Sequence, residues 1–359
     1  MIFRSALLRE LATSAAAIFL VLLGISITTQ LVRLLGQAAS GAITSQGVIA
    51  LLGFTLVGYL PILLSVTLFI AVLMTLTRSY RDSEMVVWFS CGQGLERWVR
   101  PVLVFALPLV MTIALLSLLL SPWAVEKAEQ FRRQMDSRDD VAQVIPGAFH
   151  ESRRADRVYL VEEVEGKTNL VANVFVSSTQ HGKLGVMVAQ NGFQETAANG
   201  DRFLVLSNGR RYEGEPGSPE YKIFEFERYA MRIEVSEMVE RAPTTKTMST
   251  LDLLRDRTPR NLGELSWRIG LPASALILCL LAIPLSFVNP RAGRSINIML
   301  AILVYMIYSN MLSVMQASIT QSRVDVVTGM WGVHAVMFLL LITMFYHRLS
   351  VISLRRLFR

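Results

Sequence analysis

The chain has 359 residues, of which 52% are hydrophobic and 18% charged, where a soluble globular protein carries about 25% charged residues. The deficit is uneven: long stretches hold no charge, and most acidic residues lie between Glu126 and Glu264. This excludes an ordinary soluble enzyme and marks a membrane protein with one soluble insert. The formal net charge of +7 does not signal a nucleic-acid partner, because the arginines sit beside apolar runs, as membrane topology requires.

A helix needs about 20 apolar residues to cross a bilayer. Six stretches meet that length: residues 11–32, 47–76, 99–120, 265–288, 296–315 and 327–346. The first is too long for the apolar core of a signal peptide, and the second is long enough to tilt. Pro61, Pro108, Pro272 and Pro284 lie inside spans, where proline is tolerated and often kinks the helix. Arginines gather on alternate sides of the spans. Arg4 and Arg9, then Arg78, Arg81, Arg97 and Arg100, then Arg291 and Arg294, then Arg348, Arg355, Arg356 and Arg359 form one set, against only Arg33 and Arg323 in the opposite short loops. The first set is therefore expected to be cytoplasmic. Both termini are then expected inside, and the insert between spans three and four outside, which in a Gram-negative cell means the periplasm.

On span one, Arg33 stands at the outer end, where it is either a snorkelling anchor or a guanidinium placed for a phosphate. Between spans two and three, Asp82 or Ser83 is positioned to cap a short helix from Glu84, and Gly92 to end it. Met85, Val86, Trp88 and Phe89 give that helix an apolar patch. Its acidic start suits a protein partner better than a lipid surface.

The insert, residues 121–263, opens with a polar helical segment at 124–138. Short β-type runs follow at 158–161, 170–176, 184–189, 202–206, 211–213 and 221–226, with turns expected at Asn191-Gly192, Asn199-Gly200 and Asn208-Gly209. Many short strands at this spacing predict a sandwich or jelly roll, whose apolar positions form either a packed core or a groove open to lipid. A helix is expected again at 250–257, capped by Ser249 or Thr250 and broken by Pro259. The domains are thus 1–120, 121–263 and 264–359: a polytopic α-helical membrane protein of six transmembrane helices with an all-β, jelly-roll-like domain between helices 3 and 4.

Catalytic chemistry is not indicated. His150, His181, His334 and His347 are scattered, and His334 inside a span is expected to bond a neighbouring helix. Gly166-Lys167-Thr168 lacks the earlier glycine of a phosphate-binding loop, having Val161 in its place. Cys91 and Cys279 are isolated, so neither a disulfide framework nor a zinc site is expected. The spans carry essentially no Asp, Glu, Lys or Arg between their ends, which argues against a proton- or sodium-driven carrier and against a hydrophilic pathway.

Glu264-Leu-Ser-Trp-Arg268 and Pro284-Leu-Ser-Phe-Val-Asn-Pro-Arg-Ala-Gly-Arg294 stand with Leu7-Leu-Arg-Glu10, Leu31-Val-Arg-Leu-Leu-Gly36 and the run from Ser83-Glu84 to Cys91-Gly92. In this combination the chain resembles, along its whole length, the lipopolysaccharide-export permease family, LptF/LptG. The resemblance implies a non-catalytic subunit of an ABC-type exporter that draws lipopolysaccharide from the inner membrane and passes it toward a periplasmic bridge. A chain of the F type would pair with LptG and work with two copies of the ATPase LptB, the single-span LptC and the bridge protein LptA. ATP would be used by the partner, with no cofactor in this chain.

The resemblance places a coupling helix at about 82–92, where Arg81, Glu84, Met85, Val87 and Trp88 would meet the ATPase. It sets Arg33 toward lipid phosphates, and Leu312 in span five, beside a lateral opening. Phe175 and Phe224 would lie on the lipid's route through the β domain. Gln30 stands where relatives can carry a second basic residue, which implies weaker phosphate binding or binding shared with the partner. The alternatives are a permease of another envelope-lipid exporter and a sensor or scaffold. A lipoprotein exporter typically places its large outer domain after the first span. A sensor would need an output domain, which the tail after Tyr346 does not offer.

Overall fold

The structure, a computed structural model, describes residues 2–40, 43, 47–91, 94–142, 149–151, 157–165, 170–180, 183–196, 202–214, 221–233, 244–287 and 294–349. It divides into two compact units, Met1–Phe131 with Ala242–Arg359, and Arg132–Arg241.

The first unit is helical. Its elements are α1 (Ile2–Ala39), α2 (Gly47–Arg81), α3 (Glu84–Ser90), α4 (Val99–Leu115), the first half of α5 (Ser121–Ala142), α6 (Thr250–Arg255), α7 (Pro259–Leu285), α8 (Arg294–Thr320) and α9 (Val326–Leu349); α5 passes into the second unit at Arg132. Six stretches are long and apolar enough to cross a membrane, and they coincide with the six expected spans. In such runs the helix satisfies every internal backbone polar group where water is absent. The third is the longest, 41 residues from Leu95 to Met135. A 3-10 turn (Leu95–Trp98) leads into α4, and a π-turn (Leu116–Leu120) passes it on to α5, so the expected polar helix continues the span. The prolines at 61, 108, 272 and 284 lie within continuous helices.

The core is built on α2 and α7. In their most apolar windows α7 buries 61% of its residues and α2 50%, against 11% for α1 and 17% for α8. Leu68, Phe69, Val72 and Leu76 of α2 meet Ala275, Leu278, Cys279 and Ala282 of α7 in one cluster. Glycines on α7 allow close approach. A Cβ on Gly263 would overlap Thr320 Oγ1 of α8 and lie 3.0 Å from the Gln316 carbonyl; one on Gly270 would lie 3.4 Å from His334 of α9. Pro259, expected as a breaker, is instead the first residue of α7, where its missing N–H costs nothing, and Thr258 caps the helix by accepting from Asn261 N.

The second unit holds β1 (Phe149–Glu151), β2 (Arg157–Glu165), β3 (Leu170–Gln180), β4 (Lys183–Thr196), β5 (Arg202–Gly214) and β6 (Tyr221–Ile233). They form one antiparallel sheet in sequential order. The all-β insert is as expected. Among the described strands its order is that of a meander, without the crossovers of a two-sheet jelly roll.

The runs 202–206 and 211–213, read as two strands, are one strand, because Asn208-Gly209 lies inside β5; Asn191-Gly192 likewise lies inside β4. Asn199-Gly200 lies outside the described residues. Asn208 does adopt the left-handed backbone that asparagine tolerates, φ 51°, as does Asn173 in β3. Each forms a local irregularity instead of a turn. The ladder skips Asn173, Gln190 and Asn208 in neighbouring strands, so one irregular row crosses the sheet. Side chains on the apolar face step by three across this row: Phe226 and Tyr229 both join the buried cluster of Val174, Val176, Met187, Ala189 and Leu206. Their ring centroids are 5.3 Å apart, although residues three apart in a flat strand point to opposite faces. Gly209 permits this, since a Cβ there would come 2.5 Å from the Val188 carbonyl and 2.6 Å from the Phe226 ring.

Candidate functional site

At one end of the helical unit, α3 is tied to the bundle from its buried side. Seven residues are too few for a helix stable by itself, so tertiary anchors must hold it. Met85 is 1% exposed, within the core cluster, and Trp88 packs against that cluster. Glu84 binds Arg78 of α2 at 3.2 Å. Arg78 also pairs with Glu10 of α1, donating from Nη2 to Oε2 at 2.7 Å, and with Asp82 at 3.6 Å. Glu84 therefore does not stand alone on the surface; it joins α3 to α1 and α2. These groups are all roughly two-fifths exposed except Glu10, so each pair contributes about 0–1 kcal/mol and can rearrange.

The expected caps differ. Ser83 occupies the cap position with φ 60° and makes no side-chain cap bond, while the Asp82 carboxylate is taken by Arg78 and by Arg81 at 3.2 Å. Gly92 lies outside the described residues; the helix closes with the Cys91 N–H on the Val87 carbonyl at 3.1 Å. The outer side of α3 is apolar: Val86, Val87 and Phe89 are 65%, 61% and 42% exposed. Beneath it a cavity of about 530 Å³ is lined by Leu7, Glu10, Arg78, Glu84, Trp88 and Trp98, among others.

The other end of the unit centres on Arg268, which in the sequence stands out only as part of the Glu264–Arg268 motif. Its side chain is 3% exposed. Nε donates to Glu264 Oε1 at 3.0 Å, Nη1 to the Met248 carbonyl and Thr250 Oγ1, and Nη2 to the carbonyls of Thr245 and Lys246. Glu264 accepts in turn from Gln316 Nε2 of α8 at 3.2 Å. The π-turn joins the same hub, because Ser117 donates to the Arg268 carbonyl and Thr250 to the Leu118 carbonyl. Glu and Arg four apart at the start of an apolar span was the available sequence signal; the carbonyls that Arg268 gathers carried none.

The remaining residues are dispersed. Gln30 and Arg33 lie one turn apart on α1; Arg33 is exposed and, among the described residues, has no ion-pair partner. Leu312 is 8% exposed and packs in the core, where its Cδ2 faces Gly270. The exposed face of α8 is formed instead by Met299, Leu303, Met306, Ile307, Met311 and Val314. Phe175 pairs with Leu160 and Val188, and Phe224 pairs with Arg211 in the adjacent row. The two rings therefore project from opposite faces of the sheet. Phe224, 49% exposed, shares its face with the buried cluster. His334 bonds the neighbouring helix as expected, its Nδ1 lying 2.6 Å from the Tyr308 hydroxyl of α8.

Six apolar spans with unburied outer faces and a short helix presented at one end define a multi-pass membrane protein. A sequence model of the family described as lipopolysaccharide export system permease LptF/LptG matches residues 5–347, and the chain belongs to this family. It is 27% identical over 333 residues to the lipopolysaccharide export system permease protein LptF of Escherichia coli K12, covering 92% of this chain and 90% of that protein. The same values hold for LptF of Shigella flexneri. The chain is thus a permease of the lipopolysaccharide export system.

Proposed function

We propose that this chain is the F-type subunit through which a cytoplasmic ATPase dimer drives lipopolysaccharide out of the inner membrane, with α3 as the docking helix. In this reading LptB engages the outer side of α3, LptG completes the cavity, and LptC and LptA receive the lipid. The α3 end faces the cytoplasm and the β unit the periplasm. ATP is bound and hydrolysed by the partner alone.

The observation that carries the reading is the construction of α3. A seven-residue helix fixed by Met85 and by the Glu84–Arg78–Glu10 network offers Val86, Val87 and Phe89 to a partner. Arg81 flanks that surface, while Val87 and Trp88 roof the cavity beneath. A push on α3 reaches α1 and α2 through Arg78. Arg33, exposed beside Gln30, is available for a lipid phosphate, and the face of the sheet bearing Phe224 for acyl chains. Leu312 acts from within the core by supporting α8.

Glu84→Arg in a complex reconstituted with its partners is the test. It sets two guanidinium groups against each other and is expected to abolish ATP-driven lipid release while the chain still folds. Release at the wild-type rate would end the assignment of α3.

A further inference from the structure

We propose that a stack of three rings and one guanidinium, Phe89–Tyr80–Phe287–Arg348, forms a second route from α3 into the bundle, and that Phe287 is the positioning residue that links docking to the movement of α7 and α9. This rests on the reading of α3 as the ATPase-docking helix.

The stack is continuous. Phe89 of α3 lies 6.3 Å from Tyr80 of α2, centroid to centroid. Tyr80 meets Phe287 edge to face at 5.4 Å and 78°. Arg348, near the end of α9, holds its Cζ 3.9 Å from the centre of the Phe287 ring. These separations lie within the ranges for aromatic pairing and for cation–π attraction. Each member comes from a different element, Phe287 being two residues beyond the end of α7. The residue before it is fixed as well, its carbonyl accepting from Thr77 Oγ1 of α2 at 3.4 Å.

Aromatic rings at span ends commonly serve as independent interfacial anchors. Here the rings touch one another, and Arg348, which has no carboxylate partner among the described residues, sits on a ring face. Phe287 is 48% exposed, so burial does not account for its position. The ion network under α3 reaches α1 and α2, whereas the ring stack reaches α7 and α9. From there the Tyr308–His334 bond extends the connection to α8. Displacing α3 must therefore drag Phe287 and Arg348 or break the stack.

The test uses the full-length chain assembled with its ATPase and partner permease in proteoliposomes, reading both ATP hydrolysed and lipopolysaccharide transferred to a soluble acceptor. Phe287→Leu keeps an apolar side chain but removes the ring; it is expected to lower lipid transferred per ATP by about fivefold. Phe287→Tyr, which keeps the ring, is expected to retain the wild-type ratio. Arg348→Gln at an exposed helix end should lower the ratio too, and it reads the same link if Phe287→Leu fails to accumulate. The double variant should be no worse than the more affected single one.

A wild-type ratio in both Phe287→Leu and Arg348→Gln overturns the proposal. So does a parallel fall in hydrolysis and transfer that leaves the ratio unchanged, since that marks a purely structural role. If the wild-type chain does not recruit the ATPase at all, the docking assignment of α3 fails instead.

Discussion

Arg78 and Arg268 stand near opposite ends of the helical unit and are held in opposite ways. Ser286, bonded to Thr77, lies 18 residues along α7 from Arg268, roughly 27 Å at the rise of a helix. Arg268 is almost fully buried, and its donors are distributed over Glu264, three backbone carbonyls and Thr250. Moving it would strand several polar groups away from water at once. Arg78 is two-fifths exposed and divided among Glu10, Asp82 and Glu84, so one partner can leave while water replaces it. One end of the unit is therefore fixed and the other adjustable, which suits a device that receives motion at a single end.

The largest effect is expected where the fixed end is broken. Arg268→Met leaves Glu264 buried without its partner and frees the carbonyls of residues 245, 246 and 248; it should cost about 3–5 kcal/mol, read as a lower thermal unfolding midpoint in detergent. Arg268→Lys should recover only part, because an ammonium cannot reproduce the five-way fork. A midpoint unchanged in Arg268→Met would erase the contrast between the two ends.

Next comes the α7–α8 contact beside that hub. Gly263→Val would drive a side chain into Thr320 and the Gln316 carbonyl, at a cost of about 1–3 kcal/mol. Adding Thr320→Ala should restore some of the loss, and no recovery would show that backbone, not Thr320, sets the spacing.

Midway along the unit, Tyr308→Phe removes the hydroxyl bonded to His334 and should cost about 0.6–1 kcal/mol, measured by the same melt. The smallest stability change belongs to the adjustable end. Glu84→Gln weakens one exposed pair and should shift stability by less than about 0.5 kcal/mol, yet lower ATP-driven lipid release in the assembled complex. A large stability loss there would place α3 among the fixed elements.

Much of the architecture is legible in the sequence because bilayer crossing is a strong constraint: a charge-free run of that length has few alternatives to a span. Met85 and Trp88 could be assigned to α3 because a short apolar helix in a loop must dock to persist. Asn208-Gly209 looks like a hairpin turn in sequence because left-handed φ marks a strand irregularity as well as a hairpin, and only cross-strand pairing separates the two. Ser83 lost its capping role to a backbone conformation that a polar residue before a helix does not announce. The partners of Arg268 were beyond reach, since four of its five contacts go to a segment about 20 residues away, mostly through backbone atoms that have no sequence signature. Leu312 and the outward residues of α8 are chemically alike, so span composition could not say which of them faces inward.

The π-turn at Leu116–Leu120 sets the rotational phase of the long third helix. A π-turn accommodates one residue more than an α-helical turn, so the two halves of the rod are offset by about 100° relative to an unbroken helix. Ser117 reaches the Arg268 carbonyl from within this segment, and Ala124 is fully buried just beyond it. Forcing this segment into regular α winding at full length would swing the buried side of Ala124 by about 100°, whereas deleting one residue along with the π-turn would leave it in place. Within this helix, register is thus a more demanding requirement than side-chain identity.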